Sequence, residues 1–496
     1  MSLQISPEMF LLGGGVMVVI GVAQKAWTYR QDRLAAGYTP TLKSVISMLR
    51  PTMAVLPSGR IPFSKEWYIS LGPNWWTSHK YESFRKLGQD VIVSTSLDGM
   101  PTIFMVADAD IAQEVMINRA RFTKPIHLYG VLELYGANVV TTEGDEWRIH
   151  RKITGPSFSE SSNKLVCDET VLVMEGLLDT WNNKSVIEYE DFSDVTMQLA
   201  LMVICGAGFG IRVSWTDTDA PEGHKLSFKS AMEAVSGGLL LKFAMPGFAM
   251  SMTERTSKIQ TAFDELKVYI REMIRDRASN YRDYSDLFTG HETTAHTLAF
   301  TIGFLALYPD VQEKLYEHVK REVADHTGAP TYNEVPKLKY ALAVFYETLR
   351  LFSSVPTIPK ISTEDTSVRT VNNKGEPVVV PIPKGSYVSV IAPALHHNPR
   401  YWPEPDEFKP ERFLGDWPKN AFVPFSGGAR SCIGRRFAEV EGVIALSMLV
   451  RNYRIEVKHD PKFVGETFAE RKARVLKFSN FITVTPEKVP VTFIRR

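Results

Sequence analysis

The chain has 496 residues, 44% hydrophobic and 23% charged, enough to bury a large core and too apolar for a disordered segment. Its formal net charge of +1 argues against nucleic acid as a partner. Three cysteines, Cys167, Cys205 and Cys432, make no disulfide framework and suit a reducing compartment.

From the N-terminus, Met9 to Ala23 is an unbroken run of apolar residues and glycines, and counted through Trp27 it approaches the ~20 residues of a spanning helix. No Lys or Arg precedes it, whereas Lys25, Arg30 and Arg33 follow, which places the rest of the chain on the cytoplasmic side. Residues 1–30 are therefore expected to anchor the protein in a membrane. The rival, a cleaved signal peptide ending at Gly21-Val22-Ala23, lacks a basic leader. Residues 31–61 carry Pro51 and Pro57 and read as a stiff neck. No linker, charge block or repeat divides 62–496, so it reads as one domain.

Val91–Ser96 and Thr102–Val106 are β-branched runs about Asp98-Gly99 and predict a hairpin. Gly144 precedes a helical pattern that puts Trp147 and Arg151 on one face. Gly237–Met250 is rich in Leu, Phe and Met, and Asp264–Arg277 is a charged helix. A helix ends near Pro309 and another resumes over Val311–Val323; a further one runs from Pro336 to about Phe352. Short β-rich segments follow at Val378–Pro381, Tyr387–Ile391, Phe481–Thr485 and Val489–Ile494, so the fold class is mainly α with small β-sheets.

Three stretches carry chemistry. Phe425-Ser-Gly-Gly-Ala-Arg-Ser-Cys-Ile-Gly434 sets Cys432 among glycines, whose freed N–H groups can point at sulfur, and next to Arg430. That setting suits a metal-ligating thiolate; the plain alternative is a small buried hydrophobe. Glu347 and Arg350 lie three apart on one helix, a pair that contributes only ~0.2–0.5 kcal/mol on a surface. His291, Glu292 and His296 superficially suggest a zinc protease, but the histidines are five apart and diverge around the helix.

Phe425, Gly428, Arg430, Cys432 and Gly434 fall on the Phe-x-x-Gly-x-Arg-x-Cys-x-Gly pattern, and the segment resembles the haem-binding loop of cytochrome P450 monooxygenases. Trp147-x-x-x-Arg151, Glu347-x-x-Arg350, Pro410-Glu411-Arg412-Phe413 and Gly290-His-Glu-Thr-Thr294 match other family elements, and the resemblance runs from about Pro62 to the C-terminus. It implies haem b with Cys432 as the iron ligand and Phe425 and Gly434 in its loop. It implies Trp147, Arg151 and Arg430 on the propionates, and a bracing network of Glu347, Arg350 and Arg412. Glu292 and Thr293 would be the acid and alcohol of oxygen activation; their plain readings are a solvated carboxylate and a helix back-bond. The implied reaction inserts one oxygen atom from O2 into a lipophilic substrate. NADPH-derived electrons would come through NADPH–cytochrome P450 reductase, with cytochrome b5 as a second donor. The implied place is the endoplasmic reticulum membrane, with 62–496 as the haem-thiolate catalytic domain in the cytosol. Arg435 and Arg436 would face the reductase, and the wording of the Glu292 stretch suggests a fungal member.

Two departures stand out. Thr289 occupies a position where the family has alanine or glycine. The helix over the haem also looks truncated before Thr289, because Ala278 to Phe288 is too short and too polar to supply its buried first half. An internal deletion near 278–289 is expected. Two alternatives therefore stay open: a peroxide-rearranging or dehydrating enzyme on the same fold, and an inactive haem-binding remnant.

Overall fold

The computed structural model describes residues 21, 23–37, 39–50, 59–61, 67–72, 75–133, 136–216, 219–245, 247–276, 290–323, 328–480 and 483–496. Most of the expected anchor, and the expected deletion at 278–289, lie outside the described residues. Among the described residues no helix is long and apolar enough to cross a membrane.

The predicted hairpin forms: Val91–Ser96 pairs antiparallel with Ile103–Val106, and Gly99 takes φ +78° in the turn between them. Every residue of both strands is buried, which explains why neither alternates apolar with charged residues. They lie inside an eight-stranded sheet in the order Gly59–Arg60, Trp67–Ser70, Thr41–Ser44, Val91–Ser96, Ile103–Val106, Tyr387–Ile391, Thr357–Ser362, Phe122–Thr123. Residues 41–44 and 59–60, read from sequence as neck, are thus strands of the domain. Alternation buries Leu42 and Ser44, and Thr41–Ser44 pairs parallel with Val93–Ser96.

The longer helices carry the core: α1 (Ala109–Ile117), α2 (Gly144–Thr154), α3 (Glu160–Thr180), α4 (Ser193–Ile204), α5 (Phe228–Ala244), α6 (Glu254–Asp276), α7 (Gly290–Leu307), α8 (Pro309–Glu322), α9 (Lys339–Leu351) and α10 (Arg435–Asn452). α7 is buried around nearly its whole circumference, packed by α4, α9 and α10, and so has no polar face. It stops where sequence placed the break, because Tyr308 before Pro309 leaves the helical region and Pro309 opens α8. α5 and α6 pack on each other over a second apolar cluster that includes Met232, Val235, Ile259, Phe263 and Tyr269. Between them the turn Gly247–Ser251 leaves Phe248 78% exposed, and Met252 beside it 72%.

α9 and α10 approach closely at Gly442, where a Cβ would lie 2.6 Å from Phe345 Cε2. Gly442→Ala must displace a fully packed ring, and a destabilisation of about 1–3 kcal/mol is expected for such overpacking, read as a lower thermal midpoint.

Candidate active site

Elementary geometry holds the Cys432 loop. Its amide donates to Phe425 O at 2.8 Å and closes the loop on itself. Gly428 sits at φ +65°, and a Cβ there would meet Met116 O of α1 at 3.0 Å, so the turn has room only for glycine. Of the three cysteines Cys432 alone is exposed. Desolvation by the surrounding protein pushes all three thiols up, Cys167 to about 11 and Cys432 too although its surface is open, but at Cys432 the Gly434 amide and the Arg151 and Arg435 guanidinium groups pull the other way against Glu439. A thiol that is reachable and already served by one N–H and two cations has the donor chemistry of a metal ligand.

Beside it lies a crowd of cations. Arg430 donates to Val139 O at 3.0 Å, to Thr142 O at 2.6 Å and to Glu143 Oε2 at 2.6 Å, yet its Nε is buried without a partner. Its guanidinium lies 4.2 Å from the centre of the buried Trp147 ring, and that of Arg119 lies 4.7 Å from the same ring. Arg151, one turn along α2 from Trp147, donates to Ser431 O at 3.4 Å. The three residues expected at the propionates are therefore brought together against the cysteine loop.

Sequence reasoning missed two further cations here. Lys124 donates to Val140 O at 2.6 Å, and burial, with Arg430 and Lys360 nearby, pushes its ammonium down to about 7. Lys360 is 4% exposed and is lowered by burial, with Arg430 and Arg119 acting in the same direction and Glu143 against them. Like charges gathered out of water are costly unless an anion completes them. The set fits haem: a cysteine for iron, and a surplus of buried and half-buried cations with one orphaned N–H for two propionate carboxylates. The available signal was Lys360, the one charged residue in the strand Thr357–Ser362.

Behind the loop, Glu347 and Arg350 are both 0% exposed and joined by two hydrogen bonds, Nε to Oε2 at 2.7 Å and Nη2 to Oε1 at 2.8 Å. Arg412 Nε reaches Glu347 Oε1 at 3.1 Å, so the expected trio forms. Arg435 and Arg436, expected to face a reductase, each pair with Glu439 while their side chains stay 49% and 38% exposed, and Arg435 also donates to Tyr346 Oη at 2.8 Å. The helix start needs them to balance a nearly buried carboxylate.

On α7 the arrangement is different. Glu292 Oε1 accepts from Thr483 Oγ1 at 2.9 Å, and burial raises its carboxyl while that hydrogen bond lowers it. Thr293 Oγ1 donates back to Gly290 O at 3.3 Å, and its own carbonyl accepts from Thr297 and Ser354. Among the described residues the hydrogen bonds of Glu292 and Thr293 run to these groups and not to the cysteine loop.

A family model described as cytochrome P450 matches residues 67–286 and 284–471. The chain belongs to the cytochrome P450 family. Membership implies haem held by a cysteine thiolate, which Cys432 and its cation-rich surroundings suit. Among curated relatives, Cytochrome P450 monooxygenase 124 of the fungus Postia placenta is 43% identical over 474 residues, covering 88% of this chain and 90% of its own. Cytochrome P450 monooxygenase prx9 of Penicillium rubens is 29% identical, covering 82% and 83%, and Cytochrome P450 3A41 of Mus musculus is 27% identical, covering 72% and 77%.

Arg350→Ala would strand the Glu347 carboxylate out of water, a change that costs about 3–5 kcal/mol, and a matching fall in the denaturant midpoint is expected. Lys124 gives a test that needs no turnover. Its lowered pKa leaves a large share of free amine near pH 7.5, so in haem-free protein it should be acylated faster than exposed lysines such as Lys86, and haem should protect it, as read by peptide mass spectrometry.

Proposed function

We propose that the protein is a membrane-anchored haem-thiolate monooxygenase that inserts one oxygen atom from O2 into a lipophilic organic substrate. NADPH–cytochrome P450 reductase would deliver the electrons, with cytochrome b5 as a second donor. The observation that carries this reading is the reachable Cys432 thiol beside a largely half-buried surplus of cations. Haem b, when bound, supplies a thiolate-ligated iron whose sulfur pushes electron density toward oxygen–oxygen cleavage.

The chain's own residues divide the remaining work. Cys432 holds iron, while Arg430, Trp147 and Arg151, with Lys124 and Lys360, hold and orient the propionates. Glu292 is suited to carry a proton, since burial already favours its neutral form. The Thr293 hydroxyl would leave its back-bond to Gly290 to hold a water for that proton. Exposed Phe248 and Met252 between α5 and α6 give a lipophilic edge over which an apolar substrate could enter from a bilayer. With residues 1–30 as anchor, that edge would work at the endoplasmic reticulum membrane, on the cytosolic side.

One observation favours a second reading, an inactive haem-binding remnant. The family model matches in two stretches that meet at 284–286, within the segment where sequence suggested a deletion. An alignment of 474 positions that covers 88% of a 496-residue chain also leaves roughly 40 of the Postia relative's residues opposite gaps. A chain that has lost residues there would keep its cysteine loop and lose part of the wall over it. Nothing comparable favours the peroxide-rearranging alternative.

The reduced carbon monoxide difference spectrum tests the thiolate: a strongly red-shifted Soret band is expected from the purified chain, and Cys432→Ser should abolish it. An unshifted band from the parent protein would defeat the haem-thiolate reading. For the remnant, reading the transcript across Ser285–Gly290 decides whether the junction is real, and NADPH-driven oxygenation by that product would defeat it.

A further inference from the structure

Among the described residues Glu292 is a half-buried acid that pairs with no cation. Its side chain accepts from the hydroxyl of Thr483, which enters from the C-terminal hairpin of Phe478–Asn480 and Val484–Pro486. The hairpin is fixed against the core, since Val484 N–H donates to Ser354 O at 2.9 Å and Ser354 Oγ in turn reaches Thr293 O. Thr483 is 6% exposed, and so is not available to solvent as an ordinary surface hydroxyl.

Thr483 has three polar neighbours: Glu292 Oε1 at 2.9 Å, His296 Nδ1 at 3.5 Å and Thr485 Oγ1 at 3.5 Å. A hydroxyl owns one proton, and the shortest contact takes it. Toward His296 it can then only accept. His296, one turn along α7 from Glu292 and 5% exposed, is pushed down to about 4 by burial and by His291, so at neutral pH it is uncharged and can present Nδ1–H. The hydrogen bonds then run in one direction, from His296 to Thr483 to Glu292, and each polarises the next. Among the described residues burial raises the Glu292 carboxyl and the Thr483 hydrogen bond lowers it. A carboxyl clamped by a guanidinium would resist protonation, whereas one held by a hydroxyl can take up and release a proton.

We propose that Thr483 is a positioning residue for Glu292: it aims the carboxylate and, backed by His296, sets how readily that carboxylate is protonated. The proposal rests on the reading of Glu292 as the proton-carrying acid.

The test is infrared difference spectroscopy of the full haem-loaded chain across a pH titration, with Glu292→Gln identifying the carboxyl C=O band that belongs to Glu292. Thr483→Val removes the hydroxyl at constant shape, and the Glu292 band should move to higher frequency while its protonation midpoint moves to higher pH. Thr483→Ser should return both. Should the valine variant fail to retain haem, Thr483→Ala makes the same comparison. A band and midpoint unchanged by loss of the hydroxyl, or no band that depends on Glu292, would overturn the proposal. Turnover of Glu292→Gln separates the two layers. Unimpaired oxygenation by that variant overturns the acid role and the functional weight of Thr483 with it, whereas impaired oxygenation with an unmoved band overturns Thr483 alone.

Discussion

Everything around the cysteine depends on one ion pair that water never reaches. Glu347 and Arg350 lie three residues apart on α9, and removing both from solvent would be costly if they had only each other. They do not. Arg350 also donates to His396 O, Pro405 O and Glu407 O, and Glu347 accepts from Lys409 N–H and Arg412, while Arg412 reaches Pro403 O and Glu404 O. The segment from His396 to Arg412 has little regular structure, so its carbonyls have few backbone partners, and the two guanidinium groups satisfy them. From there a single imidazole carries the geometry forward. His396, held neutral by burial and pushed down to about 3, is bonded at Nδ1 to Arg350 O and at Nε2 to Val423 N–H. Nε2 must therefore accept and Nδ1 must donate. Two residues past Val423, Phe425 O receives the Cys432 amide. The position of the thiol is thus inherited from a buried salt bridge through one fixed tautomer.

The two charged regions of the molecule obey opposite rules. In the Glu347 network nearly every donor has found an acceptor, and such a network can only hold structure. Around Arg430 the charges do not close: Lys124, Lys360, Arg119 and Arg430 face one another with Glu143 among them, and Arg430 Nε has no partner. Folding tolerates that imbalance only where a ligand's negative charge offsets it. This contrast separates bracing from binding on electrostatic grounds, without reference to any motif.

Much of this was legible in the sequence where spacing carried the information. The hairpin about Gly99, the break at Pro309, and the shared faces of Trp147 with Arg151 and of Glu347 with Arg350 follow from local periodicity or from turn residues, whereas Arg412 joins that pair only through the family resemblance. What could not be read depends on contacts across long separations. Thr41–Ser44 looks like a neck until Val91–Ser96 is placed beside it, and Lys360 looks like a surface lysine until Arg430 and Arg119 surround it. Arg435 and Arg436 were only partly legible for the same reason: they read as a basic helix start, and their pairing with Glu439 and Tyr346 shows only once those residues are set beside them. Thr483 belongs to this class as well, 191 residues from the glutamate it holds.

The same distinction bears on what a break near 284–286 would do. The bracing network, His396, the cysteine loop and α10 all come from residues 339–452, inside the second matched stretch. The cations are contributed by α2, by the segment around Lys124 and by the strand Thr357–Ser362, all clear of the junction. The cysteine loop and the cations beside it therefore take no residue from the junction itself. Glu292 and Thr293 stand differently, because they occupy the first turn of α7, immediately after the junction, and their orientation depends on where that helix begins. Thr483 and Ser354 supply the described anchors of that turn from the far side of the fold. Loss of chain at the junction would thus bear differently on the two halves of the chemistry: the haem-holding residues would all be kept, and the aim of the acid and alcohol would rest on the C-terminal hairpin.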